Sequence, residues 1–169
     1  MGADIHMYIQ YKEKKEKKEN EWWRGFGGEI GGGRNYTMFG ILAGVRNSPE
    51  KGFEPKGLPE FELGWEVKND LYLTIDNERS EENTCTLEQA ERWGRKIERS
   101  QDGKPWRTEH PDWHSHSWMT PKELAKAYRW YKKETGYKPG LEYRIILKIM
   151  KLLEDEGKNE VVVVFWFDN

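Results

Sequence analysis

Apolar residues recur along this chain with two different periods, and the period decides the element. From residue 3 to residue 11 the odd positions are Ala3, Ile5, Met7, Ile9 and Tyr11, and the even ones are Asp4, His6, Tyr8 and Gln10. A strand with two unlike faces is expected there, with Asp4 and His6 pointing the same way. Residues 12–21 mix charges of both signs with almost nothing apolar, which reads as a solvated hairpin tip leading to a second strand near residues 22–26. Six glycines between Gly25 and Gly33 precede a helical pattern over residues 36–46, capped by Asn35, with Phe39, Leu42 and Val45 as the buried stripe. Gly40 and Gly44 lie one turn apart on that helix, where missing side chains let another backbone approach.

Proline and glycine make residues 47–64 an extended surface loop, and residues 65–75 suggest a short strand pair around Leu71, Leu73 and Ile75. Thr86-x-x-Gln89 has the form of a capping box, so a helix is expected to run to about Arg99, followed by a turn-rich connector over residues 101–107. A second capping box, Thr120-Pro121-Lys122-Glu123, opens a helix carrying Leu124, Ala127, Tyr128 and Tyr131 at helical spacing. Gly136 and Gly140 interrupt it, and residues 141–156 form a longer helix whose apolar positions leave only a narrow polar face. Residues 161–167 are apolar at both parities, as a central strand covered on both faces must be. The expected fold is α+β: a small mixed or antiparallel sheet, with an N-terminal strand and a central C-terminal strand, packed against about four helices. With no internal repeat and no linker, residues 1–169 read as a single α+β domain.

Composition changes this picture little. Apolar residues make up 36% and charged residues 34%, a balance that alone points to disorder, but nine Trp, eight Tyr and six Phe supply a core. A formal net charge of -2 offers no overall attraction to duplex nucleic acid or an anionic membrane. The apolar run at residues 161–167 falls far short of the roughly 20 residues that span a bilayer as a helix. Cys85, the lone cysteine, has no partner for a disulfide or a thiolate zinc site and fits a reducing compartment. The first residues alternate rather than follow the basic, apolar and small order of an export signal, so a cytoplasmic location is expected.

The chemistry concentrates in two places. His110-Pro111-Asp112-Trp113-His114-Ser115-His116-Ser117 holds three of the four histidines, and if extended it puts Asp112, His114 and His116 on one face. The fourth, His6, sits beside Asp4. Three readings stand together. His114 and His116 can be satisfied locally before the Thr120 helix, with Trp113 and Trp118 packed beneath them. They can form a metal-free acid/base or ligand site with His6 and Asp4. Or Asp4, His6, His114 and His116 can hold a divalent metal, zinc, manganese or magnesium. The N-terminus of the Thr120 helix would stabilise a phosphate beside His116 and Ser117, with Arg34 or Arg46 completing the anion site, Arg34 the better placed because it follows the glycines. The glycine segment itself reads as a flexible or a phosphate-binding loop, although no Gly-Lys-Ser/Thr follows and the spacing is not that of a dinucleotide fingerprint.

Four blocks of wording go together: Gly2-Ala3-Asp4-Ile5-His6; Arg34-Asn35-Tyr36 with Phe39 through Asn47; Pro55-Lys56-Gly57-Leu58-Pro59-Glu60; and His114-Ser115-His116-Ser117-Trp118 with Thr120. In these the chain resembles a family of small proteins scattered through bacteriophage genomes. The resemblance covers about a quarter of the chain and implies a phage accessory protein acting in the cytoplasm of the infected bacterium. It selects Asp4, His6, Arg34, Asn35, Tyr36, His114 and His116 as shared wording.

Three functions follow as expectations. The first is a small phosphodiesterase or nucleotide hydrolase in which His6, His114 and His116 act as acid/base groups or hold a metal-activated water, Asp4 orients an imidazole and Arg34 binds phosphate. The second is a non-catalytic binder that sequesters a host signalling nucleotide or other phosphate-containing molecule through Arg34, Asn35, Tyr36, Ser117 and Arg46. The third is an inhibitor that blocks a host protein through exposed aromatics such as Trp22 and Trp23. Self-association into a homo-oligomer is open in each case.

Overall fold

In the computed structural model, which describes residues 2–13, 22–158 and 160–168, the elements follow as β1 (Ile5–Glu13), β2 (Trp22–Gly25), α1 (Tyr36–Ala43), α2 (Trp65–Leu71), β3 (Tyr72–Ile75), β4 (Thr84–Cys85), α3 (Leu87–Trp93), β5 (Ile97–Arg99), β6 (Pro105–Glu109), β7 (His114–Met119), α4 (Pro121–Thr135), α5 (Leu141–Asp155) and β8 (Val161–Phe167). This is an α+β fold with five helices and two four-stranded sheets among the described residues, where one sheet was expected. The chain divides into two compact units, one formed by the residues up to Gly64 together with those from His114 onward, the other by Trp65–Trp113. Among the described residues no helix is long and apolar enough to cross a membrane.

The first unit is built around β8. Its sheet runs β2-β1-β8-β7 and is antiparallel throughout, so the C-terminal strand is internal, as its unbroken apolar run requires. Val163, Phe165 and Phe167 join Ile5, Met7, Ile9 and Met119 on one face, against Phe39 and Leu42 of α1, Leu124 and Ala127 of α4, and Tyr143, Ile146 and Met150 of α5. Burying each of the larger side chains is worth about 1.5–3 kcal/mol. Tyr8, Gln10, Val162, Val164 and Trp166 are buried as well, and the loop at residues 47–64 is more than surface. Its Gly64 N–H donates to the buried Gln10 Oε1 at 2.7 Å, and Phe61 stacks on Trp23 and meets Trp118 edge-on.

Several boundaries differ from expectation for local reasons. α1 starts at its Asn35 cap but stops at Ala43, because Gly44 turns left-handed (φ 67) and its N–H returns to Gly40 O. A Cβ at Gly44 would meet nothing, so that glycine serves the turn; a Cβ at Gly40 would lie 2.8 Å from Asn47 O and 2.9 Å from Pro49, so that one serves packing. α5 buries a single stripe and leaves Leu141, Ile145 and Leu152 exposed, since only one side of it faces the sheet. The hairpin tip expected at residues 12–21 falls, from residue 14 on, outside the described residues.

The second unit has a sheet of order β4-β3-β6-β5, with β3 and β4 parallel and the other pairs antiparallel. Leu73, Cys85 and Ala90 form its small core, with Ile75, Trp93 and Ile97 against them. Where a strand pair was expected, residues 65–71 are helical: Val67 and Leu71 are the buried residues, a spacing of one helical turn, and the two-residue period begins only at Tyr72. α3 keeps its capping box but ends at Gly94, and residues 97–99 are a strand. Of the connector expected at residues 101–107 only residues 101–104 form the turn, closed by the Ser100 N–H to Lys104 O bond; Pro105 onward pairs with β5 as β6.

Replacing Gly40 by alanine should destabilise the chain by about 1–3 kcal/mol, because the added methyl meets backbone that cannot yield cheaply. Denaturant unfolding of G40A against the parent measures it, and an unchanged midpoint would refute the packing role.

Candidate functional site

The pairing of the terminal strands brings together residues far apart in sequence. β1 enters the sheet where β8 leaves it, in the register Ile5 to Phe167 and His6 to Trp166. The two chains go on pairing past the strands: the Asp4 N–H donates to Asp168 Oδ1 at 2.7 Å and the Asp168 N–H donates to Asp4 O at 3.2 Å. Asp168 also lies 3.4 Å from His6 Nε2, through its Oδ2. The glycine segment runs back along β1, its Ile30 N–H donating to Met7 O, and it delivers Glu29 to His6 Nδ1 at 2.8 Å. At its end Arg34 grips both oxygens of Asp4, at 2.7 and 2.9 Å, in a bidentate pair. This segment is therefore a positioned element of the site; Gly32 is buried against Ile5 and Tyr143.

Electrostatically the cluster is a chain of alternating charges. Burial works against a charged His6, but the hydrogen bonds and charges of Glu29 and then Asp168 outweigh it, and the imidazole titrates above its ordinary value. The Arg34 hydrogen bond, its charge and the nearby His6 hold Asp4 below the usual carboxylate range against a smaller desolvation. The His6 ring stacks on Trp166 with centroids 5.9 Å apart and planes at 18°, and Tyr8 stacks on the same indole.

The later histidines do not share a face. Ser115 adopts φ 52 and the register shifts between His114 and Ser117, so a bulge adds one residue to β7 and reverses the alternation. His114 consequently lies against Phe167, among the core aromatics, and His116 against Trp166. Asp112 lies in the turn before β7, off the strand. The convergence of His6 with the later segment is thus partial: His6 and His116 approach one indole from the two strands flanking β8, at 5.9 and 6.2 Å. His114 Nδ1 lies 2.9 Å from Ser115 Oγ, and its buried Nε2 has no hydrogen-bond partner among the described residues.

The remaining candidates are spread out. Asn35 caps α1, accepting from the Met38 N–H, and its Nδ2 donates to Tyr131 OH. Tyr36 is exposed at the start of α1. Arg46 is exposed at a left-handed position beyond α1. Ser117 is buried and its Oγ accepts from the Lys56 N–H. The start of α4 is occupied by its own capping box, with Glu123 also paired to Lys56 Nζ at 2.7 Å. Trp23 is half-buried against Phe61, and the Trp22 side chain is outside the described set. Among the described residues no three His, Cys, Asp or Glu side chains are gathered so as to hold a metal ion. Sequence reasoning missed Glu29 and Asp168. Asp168 could have been found by pairing the two terminal strands antiparallel, which puts the carboxylate after the apolar run beside Asp4; nothing local marks Glu29.

A folded-state value above the unfolded value of 6.5 means that His6 contributes stability that is fully present below that unfolded value and lost as pH rises through the folded one. The melting-temperature advantage of the parent over H6Q should therefore be largest near about pH 6 and shrink by about pH 9, and an NMR titration should place the His6 ring above an unstructured histidine. A ring titrating below 6.5 would contradict the charged pairing. Compared with protein-family models, curated proteins and solved structures, the chain matches none.

Proposed function

We propose that the protein is a small phosphodiesterase-type hydrolase acting on a nucleotide or another phosphate-containing small molecule, with His6 as its proton-transfer group. The observation that supports it is the His6 imidazole with a carboxylate at each ring nitrogen, beside the Asp4–Arg34 pair. In this reading water attacks phosphorus and gives a proton to Glu29, the more exposed of the two carboxylates at the ring. The phosphorus–oxygen bond to the leaving group breaks, and that oxygen takes a proton from the His6 imidazolium. Asp168 orients the ring and stabilises its charge. Arg34, held by Asp4, faces the phosphoryl oxygens. His116 lies against the same indole as His6 and is the second imidazole of the site; His114, on the other face, has no part in the step.

Local charge narrows the substrate. Asp4, Glu29 and Asp168 outnumber Arg34 and a protonated His6, which opposes a terminal phosphate with its roughly -1.5 to -2 charge more than a singly charged diester. Nucleotides suit the small genome economy that the resemblance to phage proteins implies. A second reading, a binder that sequesters such a nucleotide, is favoured by the engagement of both His6 nitrogens and of Arg34 within the cluster, since a ligand could be held there without reacting.

Purified protein given a panel of cyclic and linear nucleotides, with and without Mn²⁺, Mg²⁺ or Zn²⁺, should convert a diester to a monoester by chromatography. H6Q should slow the conversion about 10²–10⁴-fold. An intact panel sinks the hydrolase reading, and a nucleotide recovered unchanged from denatured complex points to the binder.

A further inference from the structure

The second unit carries a concavity that owes nothing to the histidine cluster. Trp65 at the start of α2 is 72% exposed and Trp106 on β6 is 48% exposed, an unusual outlay of large aromatic surface in a small unit. Both line a pocket of about 430 Å³ together with Lys68, Asn69, Tyr72 and Arg107, a volume within the range of small-molecule sites. Arg107 organises its wall. The guanidinium carbon lies 4.2 Å from the Tyr72 ring centre and 4.4 Å from that of Trp106, while Nε is held by Glu98 across the strand pair. The cation is thus locked in place by its ion pair while the two rings stay aligned with it.

Rings alone would suit any apolar ligand, and cations alone any anion. Here the indoles and the phenol line one hollow together with Lys68 and Arg107, and Asn69 adds an amide that can donate and accept. The ligand chemistry that uses all of this is a flat heteroaromatic base joined to a phosphate, since a base stacks on any aromatic face and its phosphate is drawn to a cation. We propose that this pocket, formed wholly within Trp65–Trp113, binds a nucleobase–phosphate unit. The unit can come from a free nucleotide or from a single strand of nucleic acid; duplex is excluded because its bases are not available for stacking. The proposal stands independently of any role for His6.

The test is titration calorimetry of the full chain with adenosine 5′-monophosphate and, separately, a short oligothymidylate. Saturable binding is expected, weakened about tenfold or more in W65A and in W106A. Neither indole belongs to the buried core, so melting temperatures should stay within a few degrees of the parent. K68M supplies a second readout that leaves every ring in place, and it should weaken the ligand and steepen no other loss. Tighter binding of the mononucleotide assigns the pocket to free nucleotides, and tighter binding of the oligomer assigns it to single strands. Absence of saturable binding for either probe at millimolar concentration overturns the proposal, as does an affinity that neither tryptophan variant changes.

Discussion

A strand that is apolar at every position cannot have a solvent side. All seven residues of β8 are buried, so the sheet has to be flanked on both edges of that strand and shielded on both faces. Helices α1, α4 and α5 cover one face, and the second is buried with help from the loop before Gly64. The edges are taken by β1 and β7. Once β1 runs antiparallel to β8, its first residues must lie beside the last residues of the chain, and the meeting of Asp4 and His6 with Asp168 follows from that geometry. The same strand holds Trp166, the indole that His6 and His116 approach from either side.

The charges at this sheet end depend on one another. An imidazolium in a half-buried place is disfavoured by desolvation, and two carboxylates reverse the sign. Asp168 is at the same time tied to the Asp4 backbone, so the group that orients the ring is itself oriented by the strand ends. Arg34 offsets Asp4 rather than standing alone. These linked pairs hold their members in place and keep this sheet end slightly acidic. Exposed surface pairs contribute little to stability, so the meaning of the Asp4–Arg34 pair lies in placement.

The two units carry different surface chemistry. The first has its polar residues at a strand end, with ring nitrogens and carboxylates in hydrogen-bonding contact, an arrangement suited to moving protons. The second has a poorer core of Leu73, Cys85 and Ala90 and spends large aromatics on its surface, with a guanidinium set against two of them. Residues 65–113 contain several of the elements whose boundaries departed from expectation, and for a related reason: with few buried positions, the period that distinguishes helix from strand is short and easily misread.

Elements with a strong local cause were legible in the sequence alone. The alternation of β1, the capping boxes at Thr86 and Thr120, the Asn35 cap and the two-sided apolarity of β8 each depend on neighbours within a few residues, and each was readable without coordinates, as was the α+β class. The histidines were legible as candidates by residue type and spacing. What only the tertiary structure decided is which of them meet. The bulge at Ser115 sends His114 and His116 to opposite faces, Gly44 and Gly94 end their helices early, and Glu29 and Asp168 reach His6 from positions 23 and 162 residues away along the chain. Strand register and a left-handed residue are settled by long-range packing, because a shift of one residue exchanges the faces of a strand, and no local pattern records that choice.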